Sequence, residues 1–293
     1  MKKSIFNASF EESLNLEDDG FLQYYEKEQN EKTKKLSQKK FPTLITSLTS
    51  LVLTLLFPIG LNFILVAIIM TFRDDAENLT IPISKHELLT EKVYLYCLLL
   101  WLLFVLIGKL IKRSYLLPYR LHFHTITYLI WLIFEVDLAA IEITLPTLTV
   151  WGVLTFFVLL FLLWYWMIRM KYHNIKERLY TEKSGITKRD KIAKALSIYG
   201  GAFLGVALLI KQVLMLFMGN FSTSLKGLGL LFTWFILNVG VLAMLAFMEV
   251  PYYLYAYYKW KYPEEYREWE GKSLEEWYGK KYLKKHKELL EHE

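Results

Sequence analysis

The chain has 293 residues, of which 54% are hydrophobic and 16% aromatic, and it carries a net charge of +6. This composition is typical of the polytopic membrane class and excludes an ordinary soluble domain. The basic residues flank apolar segments, so we expect anionic lipid headgroups of the inner leaflet as their partner, and no nucleic acid. The single cysteine, Cys97, excludes an internal disulfide and any site built from several cysteines.

The first 40 residues are polar and predict a cytoplasmic N-terminal tail. Their basic start is followed by acidic residues and not by an apolar core, so we do not expect a cleavable signal peptide. Residues 21–40 read as a charged helix that leads into the first apolar segment.

Six apolar segments follow, and each is long enough to cross a bilayer as a helix. They lie at about 41–72, 93–111, 121–146, 147–170, 196–218 and 227–258. The third contains Glu135, Asp137 and Glu142 and is the weakest of the six. The predicted fold class is all-α: a polytopic bundle of six transmembrane helices over 41–258, with helical tails at both ends.

The first segment is longer than a straight span requires and contains Pro58 and Gly60. A kinked helix explains both features. A re-entrant hairpin that turns at the same place is the alternative, and it would invert the sidedness of residues 73–92.

Orientation follows from the lysines and arginines beside the spans. They are concentrated before span one, between spans two and three, between spans four and five, and after span six. These four regions lie on one side of a six-span topology, so we expect a multi-pass protein of the cell membrane with both termini in the cytoplasm.

Residues 259–293 form the second predicted tail. Ser273 and Glu276 have the spacing of a capping box that starts a helix. On that helix an apolar face is formed by Leu274, Trp277, Tyr278 and Tyr282. Lysines surround this face, which is the pattern of an amphipathic helix that lies on the inner leaflet. Packing of the same face on the cytoplasmic ends of the spans is the alternative.

Ionisable residues inside the predicted spans are the candidate functional residues, because each costs roughly 2.5–3.5 kcal/mol at the bilayer centre unless it is partnered or hydrated. They are Glu135, Asp137, Lys211 and Glu249. The first three have similar predicted depths, which favours an interhelical ion pair between Lys211 and one of the two acids. A hydrated path for a proton or cation along the carboxylates is the alternative. Gly201 and Gly205 predict a close helix–helix contact on span five.

No HExxH, GxSxG, phosphate-binding loop or dinucleotide fingerprint occurs, so we expect neither an enzyme nor a cofactor. His122 and His124 point in different directions on a helix, which argues against a metal site and favours polar anchors near the interface. The sequence therefore favours a bacterial non-enzymatic binding or accessory protein, such as a subunit of an export complex or an immunity protein against a membrane-active toxin. Its partner would be another membrane protein or a second copy. The alternative is an ion- or proton-coupled transporter or channel.

Overall fold

A computed structural model describes residues 3–19, 22–23, 26–27, 31, 52–78, 83–110, 113–181, 223–286 and 288. The secondary structure of these residues is helical, without strands. The predicted fifth span, with Lys211, Gly201 and Gly205, lies outside the described residues.

The N-terminal segment is short and tightly capped. Helix α1 spans Phe10–Leu14, and Ser9 and Glu12 form a reciprocal capping box at its start. A single 3₁₀ turn, Asn15–Asp18, follows.

Helix α2 crosses the bundle as the candidate span Val52–Asp74. Pro58 lies within a π-helical turn, Leu55–Leu61, after which Asn62–Asp74 is α-helical. Proline lacks a backbone N–H, and a wider turn is one way for a helix to accommodate it. The described helix continues through Pro58 without reversing, which agrees with the kink and not with a hairpin turning there.

Helix α3 spans Glu91–Gly108, and Thr90 caps its first turn. The next helix, α4, spans Leu117–Tyr180 but breaks at Thr149, where φ is 60° and ψ is 170°. This break lies close to the predicted boundary between spans three and four.

The two limbs of α4 fold back on each other. The Trp234 indole donates to Asp137 and stacks on Phe156, with ring centroids 3.9 Å apart. Asp137 and Phe156 would be about 28 Å apart on a straight helix. Tyr119 and Leu179, near the two ends of α4, also belong to one buried cluster. We therefore describe α4 as a helical hairpin with its turn at Thr149.

Helix α5, Thr223–Met244, continues through a π-helical turn, Leu245–Glu249, into α6, Val250–Lys261. Like the turn around Pro58, this wide turn lies beside a proline, Pro251. Four helical stretches of the described chain are long and apolar enough to span a membrane: Val52–Asp74, Glu91–Gly108, Ser114–Tyr180 and Gly229–Lys261. The chain is thus compatible with a multi-pass membrane protein.

The C-terminal tail forms three short helices. Helix α7, Pro263–Trp269, has Pro263 in its first turn. Helix α8, Leu274–Tyr278, begins at the predicted capping box of Ser273 and Glu276. Gly279, with φ at 83°, separates it from α9, Lys280–Leu283. The predicted single helix is therefore broken after one and a half turns.

The aromatic face predicted for the membrane surface packs against protein. Leu274, Trp277 and Tyr278 are buried, and Trp277 stacks on Tyr115 at 4.5 Å. Tyr282 stacks on Tyr278 at the edge of the same core. This face therefore lies against the 3₁₀ turn Ser114–Leu116, which directly precedes α4.

The largest described core joins both tails to the helix ends. We call it the terminal core, and its fully buried members include Leu16, Leu22, Ile175, Leu179, Tyr252, Tyr255, Tyr258, Tyr266 and Trp277. The N-terminal segment, both ends of α4, and α6 to α9 all contribute to it. Both described tails therefore lie at one end of the molecule, which we call the terminal end.

Candidate functional site

The first limb of α4 carries ionisable side chains along its length. His122 lies toward the terminal end, Glu135 and Asp137 in the middle, and Glu142 near the Thr149 turn. From His122 to Glu142 the helix rises about 30 Å, comparable to the thickness of a hydrocarbon core. Each of the four has different neighbours, which decide what it can do.

Glu142 forms the most extensive of these contacts. Its carboxylate is fully buried and accepts from the Arg73 guanidinium, at 3.0 Å from Nε and 2.7 Å from the nearer contact to Nη2. The backbone N–H groups of Leu88 and Leu89 also donate to it, each at 2.5 Å. The Ser84 N–H donates to the Glu142 carbonyl at 2.9 Å. One acid thus joins α2, α4 and the segment before α3.

Asp137 contacts α5 through neutral donors. Trp234 Nε1 and Asn238 Nδ2 donate to its Oδ1 at 2.7 and 2.8 Å. Asn238 is itself buried, and its amide also donates to the Trp234 carbonyl. These bonds stabilise the α4–α5 interface.

Glu249 pairs with His122. The His122 Nε2 and the Glu249 Oε2 are 2.6 Å apart, and both side chains are buried. The His122 ring also contacts the rings of Tyr252 and Tyr253. This pair connects the first limb of α4 to the π-helical turn before α6.

Glu135 differs from the other three. It is fully buried, and Trp131 Nε1 on its own helix donates to Oε1 at 2.5 Å. The amide of Asn62 on α2 lies beside the carboxyl group. Within the described part of the chain, Oε2 and both polar atoms of Asn62 lack a hydrogen-bond partner of good geometry.

The carbonyl groups of the π-helical turn in α2 are held from two sides. The Tyr128 hydroxyl donates to the Phe57 carbonyl at 2.8 Å, and the Tyr94 hydroxyl donates to the Ile59 carbonyl at 3.1 Å. Gly60 allows the close passage of the Leu55 carbonyl, because a Cβ there would lie 2.9 Å from that oxygen. These contacts position Asn62, one turn further along, against Glu135.

A second charged group lies at the terminal end. Lys259 is buried between Glu26 and Glu270, at 2.9 and 2.7 Å. Burial opposes ionisation of Glu270, but Lys259 and Lys272 outweigh it and hold the pKa of this carboxyl below its ordinary value. Tyr119 also donates to Glu26, at 2.6 Å.

The N-terminal segment is bound through the same region. Lys171 donates to Asp19 at 2.9 Å, and Tyr255 donates to Glu17 at 2.6 Å. Ser13 and Tyr266 are hydrogen-bonded at 2.8 Å, and burial raises the pKa of the Tyr266 hydroxyl above its usual range. The tails therefore form a packed part of the protein, with charge pairs inside it.

The candidate residues predicted from the sequence do not form one site: Glu135, Asp137 and Glu249 lie in different surroundings. Glu135 and Asp137 point to opposite sides of α4, toward α2 and toward α5, as a spacing of about 200° requires. Glu249 lies at the terminal end, away from both. The predicted contact of Lys211 with either acid falls outside the described residues.

Sequence reasoning missed the partners Arg73 and His122. Arg73 directly follows the predicted first span and Glu142 lies near the end of the third, so the two lie at the same end of their predicted spans. His122 had been placed at the interface as a polar anchor. Its position in the sequence gives no indication of the pairing with Glu249, which lies 127 residues further along the chain.

Within the described part of the chain, no three His, Cys, Asp or Glu side chains converge to hold an ion.

Comparison with other proteins gives no further assignment. No protein family, curated protein or solved structure matches this chain. Any function of this chain must therefore be inferred from its side chains and their contacts.

Proposed function

We propose that this chain is a non-enzymatic membrane protein that acts by binding another membrane component. An accessory subunit of a bacterial export complex and an immunity protein against a membrane-active toxin are the two roles of this kind that we favour. The observation that carries the proposal is that Asp137, Glu142 and Glu249 all have partners on neighbouring helices. Each is hydrogen-bonded or ion-paired to a neighbouring helix, which is what helix packing requires.

The terminal end supports the same proposal. Both tails pack into the terminal core, and aromatic side chains remain on its outer surface: Phe6, Trp260 and Trp269 are 50%, 54% and 58% exposed. Exposed aromatic residues on a well-packed surface are typical of contact sites. The bilayer, through its anionic inner leaflet, and a second copy of the chain are further partners that this surface suits.

A photocrosslinking experiment tests the binding role in native membranes. A photoreactive amino acid at Trp269, on the terminal end, should give an adduct with one defined membrane protein. The same group at Leu99, which is 62% exposed on the candidate span α3, should react mainly with lipid. Equal protein adducts from both positions, or none from Trp269 or Phe6, would count against a binding role.

The six-span topology with both termini in the cytoplasm forms part of the proposal. It is supported by the hairpin shape of α4 and by the common position of both described tails. Single cysteines at Glu77 and Glu265, in a Cys97→Ser background, test it with an impermeant thiol reagent. Glu77→Cys should react in intact cells and Glu265→Cys only after lysis. The opposite pattern would reverse the orientation.

Proton- or cation-coupled transport is the second candidate, and Glu135 is the observation that favours it. A buried carboxyl group with an open oxygen is what an ion path would need. The two candidates differ in whether the protein moves ions, which a flux measurement distinguishes.

A further inference from the structure

We propose that Glu135 and Asn62 form a proton-binding site in the middle of the bundle, where Glu135 is held as a neutral carboxylic acid. The site consists of a carboxyl group on α4 and an amide on α2, both fully buried. This inference does not depend on the binding role, because a neutral acid could serve either a static or a transporting protein.

The first argument is that, among the residues that the structure describes, no charged group lies beside the Glu135 carboxyl. Trp131 and Asn62 are the neutral polar groups that act on Glu135 in the described chain. In the described part of the chain, the titratable groups that face it are Tyr94 and Cys97 from α3, and Tyr128 from its own helix. All three are neutral at ordinary pH. An isolated carboxylate in such surroundings loses far more solvation free energy than the neutral acid does.

The second argument is hydrogen-bond geometry. The indole N–H of Trp131 donates to Oε1, which is therefore the carbonyl oxygen of the acid. Oε2 remains open and lies beside the open Asn62 amide. A proton on Oε2 gives it a hydrogen to donate, and the Asn62 carbonyl is the acceptor available. Protonation gives Oε2 and the Asn62 carbonyl oxygen one shared hydrogen bond. An ionised Oε2 would accept from the Asn62 N–H₂ group instead, so the missing counter-charge in the described chain decides between the two forms.

The third argument concerns the ligand. A hard metal cation such as Ca²⁺ takes about six to eight oxygen ligands. Glu135 Oε2 and Asn62 Oδ1 supply two, and the nearby carbonyl oxygens of Phe57 and Ile59 already accept from tyrosine hydroxyls. The described residues therefore offer too few free oxygen ligands for such an ion, whereas a single proton needs only one acceptor.

Infrared spectroscopy of the purified full-length protein measures this state directly. A protonated carboxyl group has a carbonyl stretching band that a carboxylate lacks. We expect such a band near neutral pH in the wild type, and we expect Glu135→Gln to remove it. Glu77→Gln, at an exposed position, should leave it unchanged. Trp131→Phe should shift the band to higher wavenumber, because the hydrogen bond to Oε1 is lost.

Thermal unfolding provides a second measurement. Between the ordinary glutamate pKa, about 4.3, and neutral pH, the folded protein would bind one proton more than the unfolded chain. The folding equilibrium constant should then fall up to tenfold for each pH unit of increase, and Glu135→Gln should remove that part of the dependence. If Glu135→Gln does not accumulate, the band shift in Trp131→Phe still tests the site.

Three outcomes would overturn the proposal. If the wild type has no carboxylic-acid band that disappears in Glu135→Gln, the Glu135 carboxyl group is ionised. A band that arises only in Lys211→Met would show an ion pair with that lysine. Stabilisation by sodium in the wild type but not in Glu135→Gln would show a metal cation at the site.

Discussion

Arg73 and Glu142 join the end of α2 to the first limb of α4 through a buried ion pair, with the closest contact at 2.7 Å. The Arg73 guanidinium also donates to the Leu89 carbonyl at 2.5 Å, so the pair encloses the segment before α3. Removing one partner of such a pair strongly destabilises a protein, because the other charge stays buried and uncompensated.

Arg73→Met should therefore destabilise the protein by roughly 3–5 kcal/mol. Arg73→Lys keeps the charge but loses the bidentate contact, so its loss should be smaller. Unfolding in detergent measures both variants. Wild-type stability of Arg73→Met would show that Glu142 has no need of its cation.

Asp137 provides a contrasting case, because its donors are neutral. Asp137→Asn keeps an acceptor oxygen for Trp234 and Asn238 and should change stability by less than about 1 kcal/mol. Asp137→Leu leaves the Trp234 indole N–H and one of the two Asn238 amide hydrogens unpaired, and should cost about 1–3 kcal/mol for each group that stays buried. Equal losses in the two variants would mean that the charge of Asp137, and not its hydrogen bonds, stabilises the α4–α5 contact.

Gly279 is required by its backbone conformation and by its neighbour. Its φ is 83°, and a Cβ there would collide with the Ser114 hydroxyl. Gly279→Ala should lower stability by about 1–3 kcal/mol or more. Gly271→Asn is the matched control, since Gly271 has φ at 61° with open space around its Cβ position, and asparagine tolerates that region. A fully stable Gly279→Ala would contradict the described packing of Gly279 on Ser114, in the 3₁₀ turn before α4.

The acidic side of the pH–stability profile should depend on Glu270. Its pKa is lowered from the ordinary value of 4.5, so the folded state favours the ionised form. The resulting stabilisation is present above pH 4.5 and is lost as the pH falls through the lowered folded pKa. Glu270→Gln should remove this part of the acid dependence, whereas Glu265→Gln, at an exposed position, should retain it. Identical profiles for both variants would argue against the Lys259–Glu270 pair.

Much of the fold is predictable because apolar length and capping chemistry are local properties. The capping box at Ser273 and the first-turn position of Pro263 follow from a few neighbouring residues. What covers the Trp277 face cannot be predicted in this way. An amphipathic helix has the same sequence pattern whether it packs on a bilayer or on the turn that precedes α4. The partners Arg73 and His122 depend on which helices are neighbours, and a single sequence does not specify that.

Ion flux in reconstituted vesicles tests the central claim most directly, namely that the intramembrane acids stabilise helix contacts in a binding protein. Purified wild type and Asp137→Asn would be incorporated at equal density, and proton and monovalent-cation flux followed under an imposed pH or salt gradient. We predict that both match protein-free vesicles. Flux through the wild type that Asp137→Asn or Glu135→Gln abolishes, with the variants still folded, would contradict the account and identify a transporter.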